Sequence, residues 1–255
     1  MKRFFSLLAA LATFALPASA QQEEIVAGLS QNAVQITATF VGSEILIFGA
    51  VKRDAPAPIG DLGVTVVVEG PSKPITVRRK AKRMGIWVNA DSVEVEAAPS
   101  FYAIATSAPF DEIISPELNR ARDISIPESI RILESEETTD TENFAEAVIR
   151  IRSKAGLYMI NEGAVNMNED TLFNTRIELP ANLTEGDYRA RIYLTRGGEL
   201  VAEHSASIDV SKVGLERWLY NLAHQQAFLY GLMSLAIAIA AGWGASAFFR
   251  VFLRS

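Results

Sequence analysis

From Ala227 to Phe249 every residue is apolar, aromatic or small and none is charged, and Arg250 and Arg254 follow at once. At the helical rise of about 1.5 Å per residue the stretch spans roughly 34 Å, enough to cross a bilayer core of about 30 Å with some tilt. A chain built this way is expected to be a folded body tethered to a membrane by its tail. The bias of Lys and Arg toward the cytoplasmic side puts Arg250 and Arg254 there and the body on the far side. With no ionisable residue inside it, the span cannot by itself carry protons or ions. Ala238, Gly242 and Ser246 are four apart, the small-residue spacing that lets a second membrane helix approach closely, from a partner or from another copy of the chain.

The beginning of the chain fits that orientation. Lys2 and Arg3 precede an apolar run from Phe4 to Leu16, and Pro17 and Ala18-Ser19-Ala20 then supply a break and a small-residue cleavage site. This is the pattern of a secretory signal peptide, with a mature chain starting at Gln21. The two ends together predict a protein of the bacterial inner membrane, single-pass, with its bulk in the periplasm and its C-terminus in the cytoplasm.

Composition narrows what the body can do. Of 24 Lys and Arg, four (Lys2, Arg3, Arg250 and Arg254) lie outside it, leaving 20 against 30 Asp and Glu, a net charge near −10. Such an acidic surface argues against general nucleic-acid binding. The chain has no cysteine, so thiol chemistry, iron–sulfur clusters and cysteine-bound zinc are excluded, and the body must be held by its apolar core.

Strand patterns dominate from Glu24 to Ser107. Val34 and Ile36 alternate with Gln35 and Thr37, as expected for a strand with one buried face. The unbroken run Val64-Thr65-Val66-Val67-Val68 predicts a strand covered on both sides. With Ile75 to Arg83, Ile86 to Ala97 and Phe101 to Ser107 there are about seven strands, the number of an immunoglobulin-like sandwich. Pro116 to Leu133 holds one or two short helices, and the acidic run through Glu134, Glu136, Glu137, Asp140 and Glu142 reads as a solvated loop. Phe144, Ala147, Val148 and Ile151 then fall at helical spacing, predicting an amphipathic helix over 140–154 that ends at Gly156. Strands return with Leu172 to Leu179, Tyr188 to Thr195 and Glu199 to Val210, the last two joined by a tight Gly197-Gly198 turn. In the first of that pair, Arg189, Arg191 and Tyr193 alternate with Ala190, Ile192 and Leu194, predicting a wet face and a buried one. Gly-x-Tyr entering this strand suits a corner-locking tyrosine at Tyr188.

The expected fold is therefore mostly β: two immunoglobulin-like, β-sandwich units with a short helical insertion, plus one C-terminal transmembrane helix. Its segments are a signal peptide (1–20), an N-terminal sandwich (21–110), a helical and acidic linker (111–156) and a second β-rich unit packing with the 140–154 helix (157–212). An interfacial segment (213–226), the transmembrane helix (227–249) and a cytoplasmic tail (250–255) complete it.

Little here suggests catalysis. The chain has two histidines, His204 in a strand and His224 beside Trp218 and Tyr220, where interfacial anchoring is the simpler role. No Gly-rich phosphate loop, Gly-x-Ser-x-Gly elbow or His-Glu-x-x-His occurs, and no metal site or cofactor is expected. The notable polar feature is basic: Arg78, Arg79, Lys80, Lys82 and Arg83 crowd one strand. On an acidic body this patch suits an oxyanion, an acidic partner surface or lipid phosphates, although charged strands also serve merely to block sheet-to-sheet aggregation.

A set of strings in fixed order links the chain to a family: Phe40-Val41-Gly42, Phe48-Gly49-Ala50, Gly70-Pro71, Val77-Arg78-Arg79-Lys80, Gly85-Ile86-Trp87-Val88-Asn89 and Pro99-Ser100-Phe101-Tyr102. Gly156-Leu157-Tyr158, Thr171-Leu172-Phe173, Leu179-Pro180-Ala181, Gly186-Asp187-Tyr188, Tyr230-Gly231 and Phe249-Arg250 follow. The chain resembles an uncharacterised alphaproteobacterial family of single-pass transmembrane proteins of about 250 residues. The resemblance implies no catalytic residues. It implies an accessory or scaffold role beside an integral-membrane permease, such as one of the sulfite-exporter type. A solute-binding or envelope-sensing module without catalytic activity is the alternative. Arg78, Arg79, Lys80, Lys82, Trp87 and Asn89 are the candidate anion- or partner-binding residues, with Trp87 expected in a core; Gly42 and Gly49 suit turns or bulges.

Overall fold

The structure, a computed structural model, describes residues 23–56, 58, 60–132 and 141–252. The expected signal peptide, most of the acidic run and Arg254 lie outside the described residues.

One sheet has the order β1 (Glu23–Leu29), β3 (Ser43–Arg53), β11 (Leu172–Leu179), β10 (Asn166–Asn168), with every neighbour antiparallel. A larger one runs β2 (Ala33–Ile36), β13 (Glu199–Lys212), β12 (Gly186–Arg196), β4 (Leu62–Glu69), β7 (Tyr102–Thr106), β9 (Tyr158–Asn161), its outermost pairs parallel and its inner pairs antiparallel. A third consists of the long hairpin β5 (Ser72–Arg83) and β6 (Ile86–Pro99) with the short β8 (Arg131–Ile132). The helices are α1 (Phe110–Ile113), α2 (Pro116–Arg122), α3 (Thr141–Lys154), α4 (Leu215–Gln225) and α5 (Ala227–Phe252). The chain is mostly β with one long C-terminal apolar helix, as its pattern predicts.

Period-two alternation builds the core. Val64, Val66 and Val68 of β4, Ala190, Ile192 and Leu194 of β12, and Ala103 and Ala105 of β7 all point into a layer shared with Ile45 and Ile47 of β3 and Phe173 and Ile177 of β11. The other face of the larger sheet is buried too. Val67, Ile104, Tyr102 and Tyr193 meet Ile113, Leu118, Ile124 and Ile126 from α1, α2 and the segment after them. The body thus has three layers, and β4, the two-sided apolar strand, lies in the middle one. This corrects the wet face expected for β12: Tyr193 is buried and Arg191 nearly so, because the α2 region covers them.

The strands do not sort by chain half. Ile45 pairs with Ile177, Val66 with Ile192 and Val34 with Val210, so strands from 21–110 and from 157–212 share both large sheets. They complete a common sandwich, since β4 needs β12 on one side and β7 on the other to satisfy its backbone groups.

Local chemistry fixes the turns. Gly197 and Gly198 have φ +59° and +83° between the facing residues Arg196 and Glu199, the left-handed pair that a two-residue hairpin requires. Met84 and Gly85 do the same between Arg83 and Ile86, with φ +50° and +87°. Gly42 lies in irregular backbone just before β3 at φ +117°, but Gly49 lies within β3, where an added Cβ would come 2.5 Å from the Phe173 ring and 2.8 Å from the Val26 carbonyl oxygen. The corner tyrosine is present: the Tyr188 hydroxyl donates to the Thr184 carbonyl at 2.8 Å. Tyr188→Phe is expected to lower stability by about 1–2 kcal/mol, with the far-UV spectrum unchanged; a loss below a few tenths in urea denaturation would show that the corner bond is not holding the loop.

Candidate functional site

The basic strand forms one arm of a hairpin, and α3 lies beside it. The arm's root is pinned by packing and hydrogen bonds. Val95 and Ala98 are buried, Ile75 and Val77 pack against the same cluster, and the Pro99 carbonyl accepts from Arg152 of α3 and from the Tyr158 hydroxyl, the latter at 2.7 Å. Burial pushes the Tyr158 phenol up to about 12, so it stays a donor at physiological pH. The apolar stripe of α3 explains its attachment: Phe144 and Val148 face inward.

Between β5 and α3 lies a groove of about 830 Å³. Val77, Ala147, Ile149 and Ile151 give it apolar walls, and Arg78, Arg79, Lys80 and Arg150 line it together with one carboxylate, that of Glu146. A lining of net positive charge among apolar side chains suits an amphipathic anion or an acidic segment with apolar side chains. Arg79 has another duty. Its guanidinium donates to Asp91 Oδ2 from Nε at 2.9 Å and Nη2 at 2.7 Å and lies 5.3 Å from the centre of the Phe144 ring, bracing the hairpin against α3. Arg78, Lys80, Lys82 and Arg83 have no ion pair among the described residues.

Trp87 is not in a core. It is 68% exposed near the hairpin tip, opposite Lys82, and Asn89 is exposed opposite Lys80, with Ala90 bulged where the register slips. The hairpin extends past the layers that would have covered it, so alternation alone could not bury it. Arg150 was missed by sequence reasoning because it sits on a helix 70 residues on, and no local pattern joins that helix to the basic strand.

Two further polar clusters are structural. Arg191 donates to Glu69 Oε2 at 3.0 Å, to the Tyr102 and Tyr193 hydroxyls at 3.1 and 2.8 Å, and to the Arg122 and Asp123 carbonyls that end α2, at 2.8 and 3.3 Å. A cation at that helix terminus is favourably placed, and burial pushes the Tyr102 phenol up so that it remains protonated. Glu23, buried at the edge of β1, accepts from Arg53 and from Arg196, the latter at 3.0 and 3.1 Å. Burial would raise its carboxyl, but the hydrogen bonds and charges of the two arginines outweigh burial and hold it below its ordinary value.

The tail is the other candidate surface. Within α5 the candidate membrane span is Ala227–Phe248, and none of its most apolar stretch is buried against the body. Ala238, Gly242 and Ser246 lie exposed on it, and a Cβ added at Gly242 would meet nothing within 4 Å. Before it, α4 exposes Trp218 and Tyr220, and His224 stacks on Tyr220 with ring centres 4.0 Å apart. His204 lies mid-strand opposite Ile192. Among the described residues no group of three or more His, Asp or Glu side chains could hold a metal ion.

Comparison with known proteins agrees with this anchored architecture. The family model described as "Putative transmembrane protein (Alph_Pro_TM)" matches residues 24–251. No curated protein matches the chain.

Proposed function

Since the chain belongs to this family of transmembrane proteins, we propose that it is a non-catalytic accessory or scaffold protein of the bacterial inner membrane, its body in the periplasm and its C-terminus in the cytoplasm. The partner is an integral-membrane transporter, with permeases of the sulfite-exporter type the class to test first. The observation that carries this reading is the pairing of two exposed surfaces on one chain: a bare apolar helix with a small-residue face, and a basic groove on an acidic body. Arg250 after the span supports the orientation. The tyrosine corner supports an immunoglobulin-like binding body.

Affinity capture of the full chain from solubilised membranes tests it. A polytopic protein is expected to co-purify and to be lost with Gly242→Ile, whose branched side chain would hold the helices apart. Capture that yields no membrane protein, or the same set with Gly242→Ile, would refute the scaffold role. The groove supports a second reading, anion binding by the body itself. Under that reading sulfate or a small sulfonate raises the melting temperature of the wild type but not of Arg78→Ala/Lys80→Ala.

A further inference from the structure

The hairpin tip differs from the groove near its root. Residues 78–90 contain Arg78, Arg79, Lys80, Lys82 and Arg83 and no Asp or Glu, in a chain of net charge −6. The turn carries Met84, fully exposed, with Ile86 at 65% and Trp87 at 68% exposure. An added Cβ at Gly85 would meet nothing within 4 Å. This is a convex apolar tip with a cationic collar, not a groove. Tryptophan favours the headgroup layer of a bilayer, and apolar side chains flanked by Lys and Arg favour an anionic one.

Strand register shows where this tip is rooted. Glu69, the last residue of β4, lies opposite Arg189, which lies opposite Ser207. Gly186, whose Cβ would meet Pro71, lies opposite Val210. From there β13 runs on through Lys212 into α4 and α5. The hairpin therefore leaves the larger sheet at the end from which the membrane tail departs. Counted from Ser72, twelve residues of β5 at about 3.3 Å each put the tip roughly 40 Å along the strand; the first half, with Ile75 and Val77, is packed on the body, and the tail holds that root near the bilayer.

We infer that Met84, Ile86 and Trp87 enter the headgroup layer of an anionic phospholipid leaflet, with Lys82 and Arg83 on lipid phosphates. The hairpin is then a second contact with the membrane that the tail crosses. This goes beyond the scaffold reading, which does not require the tip to touch lipid. A protein partner would more naturally offer a concave acidic site, whereas a leaflet offers charge and apolar depth to a convex tip.

The cysteine-free chain allows a clean test, because Ile86→Cys introduces a single thiol for a spin label. The labelled full chain is reconstituted into vesicles of phosphatidylcholine alone or with phosphatidylglycerol, and label depth is read from its relative access to oxygen and to a water-soluble nickel chelate. Label at Glu199→Cys, beside the Gly197-Gly198 turn at the opposite end of the sheet, is the aqueous control. The tip label is expected at headgroup depth in the anionic vesicles, with the embedded fraction about tenfold lower after Lys82→Glu/Arg83→Glu. An unchanged unfolding midpoint will show that these exposed substitutions leave the body folded. A tip label as water-accessible as the control, or protected equally with and without phosphatidylglycerol, would overturn the inference; the second outcome would point to cover that does not depend on anionic lipid, such as a second copy of the chain.

Discussion

Arg191→Ala is expected to cost about 3–5 kcal/mol of unfolding free energy, read by urea denaturation of the detergent-solubilised full chain. The side chain is only 13% exposed and is a donor shared by Glu69, two tyrosine hydroxyls and two helix-terminal carbonyls. Removing it leaves the partly buried Glu69 carboxylate without its closest cation and the Arg122 carbonyl at the end of α2 without this donor, while the Asp123 carbonyl keeps the Tyr102 hydroxyl at 2.9 Å. Arg189 also approaches Glu69, at 3.4 Å, but is largely exposed and cannot replace a buried donor. Arg191→Met keeps the apolar stem and loses the hydrogen bonds, so it separates packing from polar loss. It should be nearly as damaging as Ala. A loss below about 1 kcal/mol for either variant would mean that the α2 layer is held by its isoleucines alone.

A loss of similar size is expected for Glu23→Gln, but with a dependence on pH. The Glu23 carboxyl is almost fully buried between Arg53 and Arg196, which are only 14% and 13% exposed, so its removal leaves two buried cations facing a neutral amide. Near pH 7 the cost is about 3–5 kcal/mol. Because the folded protein holds this carboxyl below its ordinary value of 4.5, its contribution is complete above that pH and is lost as pH falls through the folded value. The wild type should therefore lose stability in acid faster than the variant, and the gap between their curves should narrow below about pH 4.5. Parallel curves down to pH 3 would show that Glu23 does not supply this acid sensitivity.

Those two clusters mark where sequence reasoning reached its limit. The two-sided burial of β4, the Gly197-Gly198 hairpin, the Tyr188 corner, α3 and the apolar tail were all legible, because each is written in local periodicity or turn chemistry. Alternation states which residues share a face but not what covers that face. Arg191 and Tyr193 therefore read as solvated, while residues from α1 to Ile126 in fact form a second core over them. Trp87 failed in the opposite sense: it stands in a strand that runs beyond every covering layer. Strand partners were also hidden, since Ile45 and Ile177 are joined by a register that no local pattern records. At the basic strand, the charge was plain in the sequence, but the division of labour was not. Only the geometry shows that Arg79, at the groove with Arg78 and Lys80, also braces the hairpin, while Lys82 and Arg83 stand near the tip.

The way β13 enters the tail has a mechanical consequence. That strand is bonded along its length to β12 and, over its last residues, to β2, and then continues into α4 and α5. Tension arriving from the bilayer would pull along the strand axis, loading many backbone bonds together instead of peeling them singly. The body is thus joined to its apolar tail by a shear joint, in which force on the helix is spread over a whole strand.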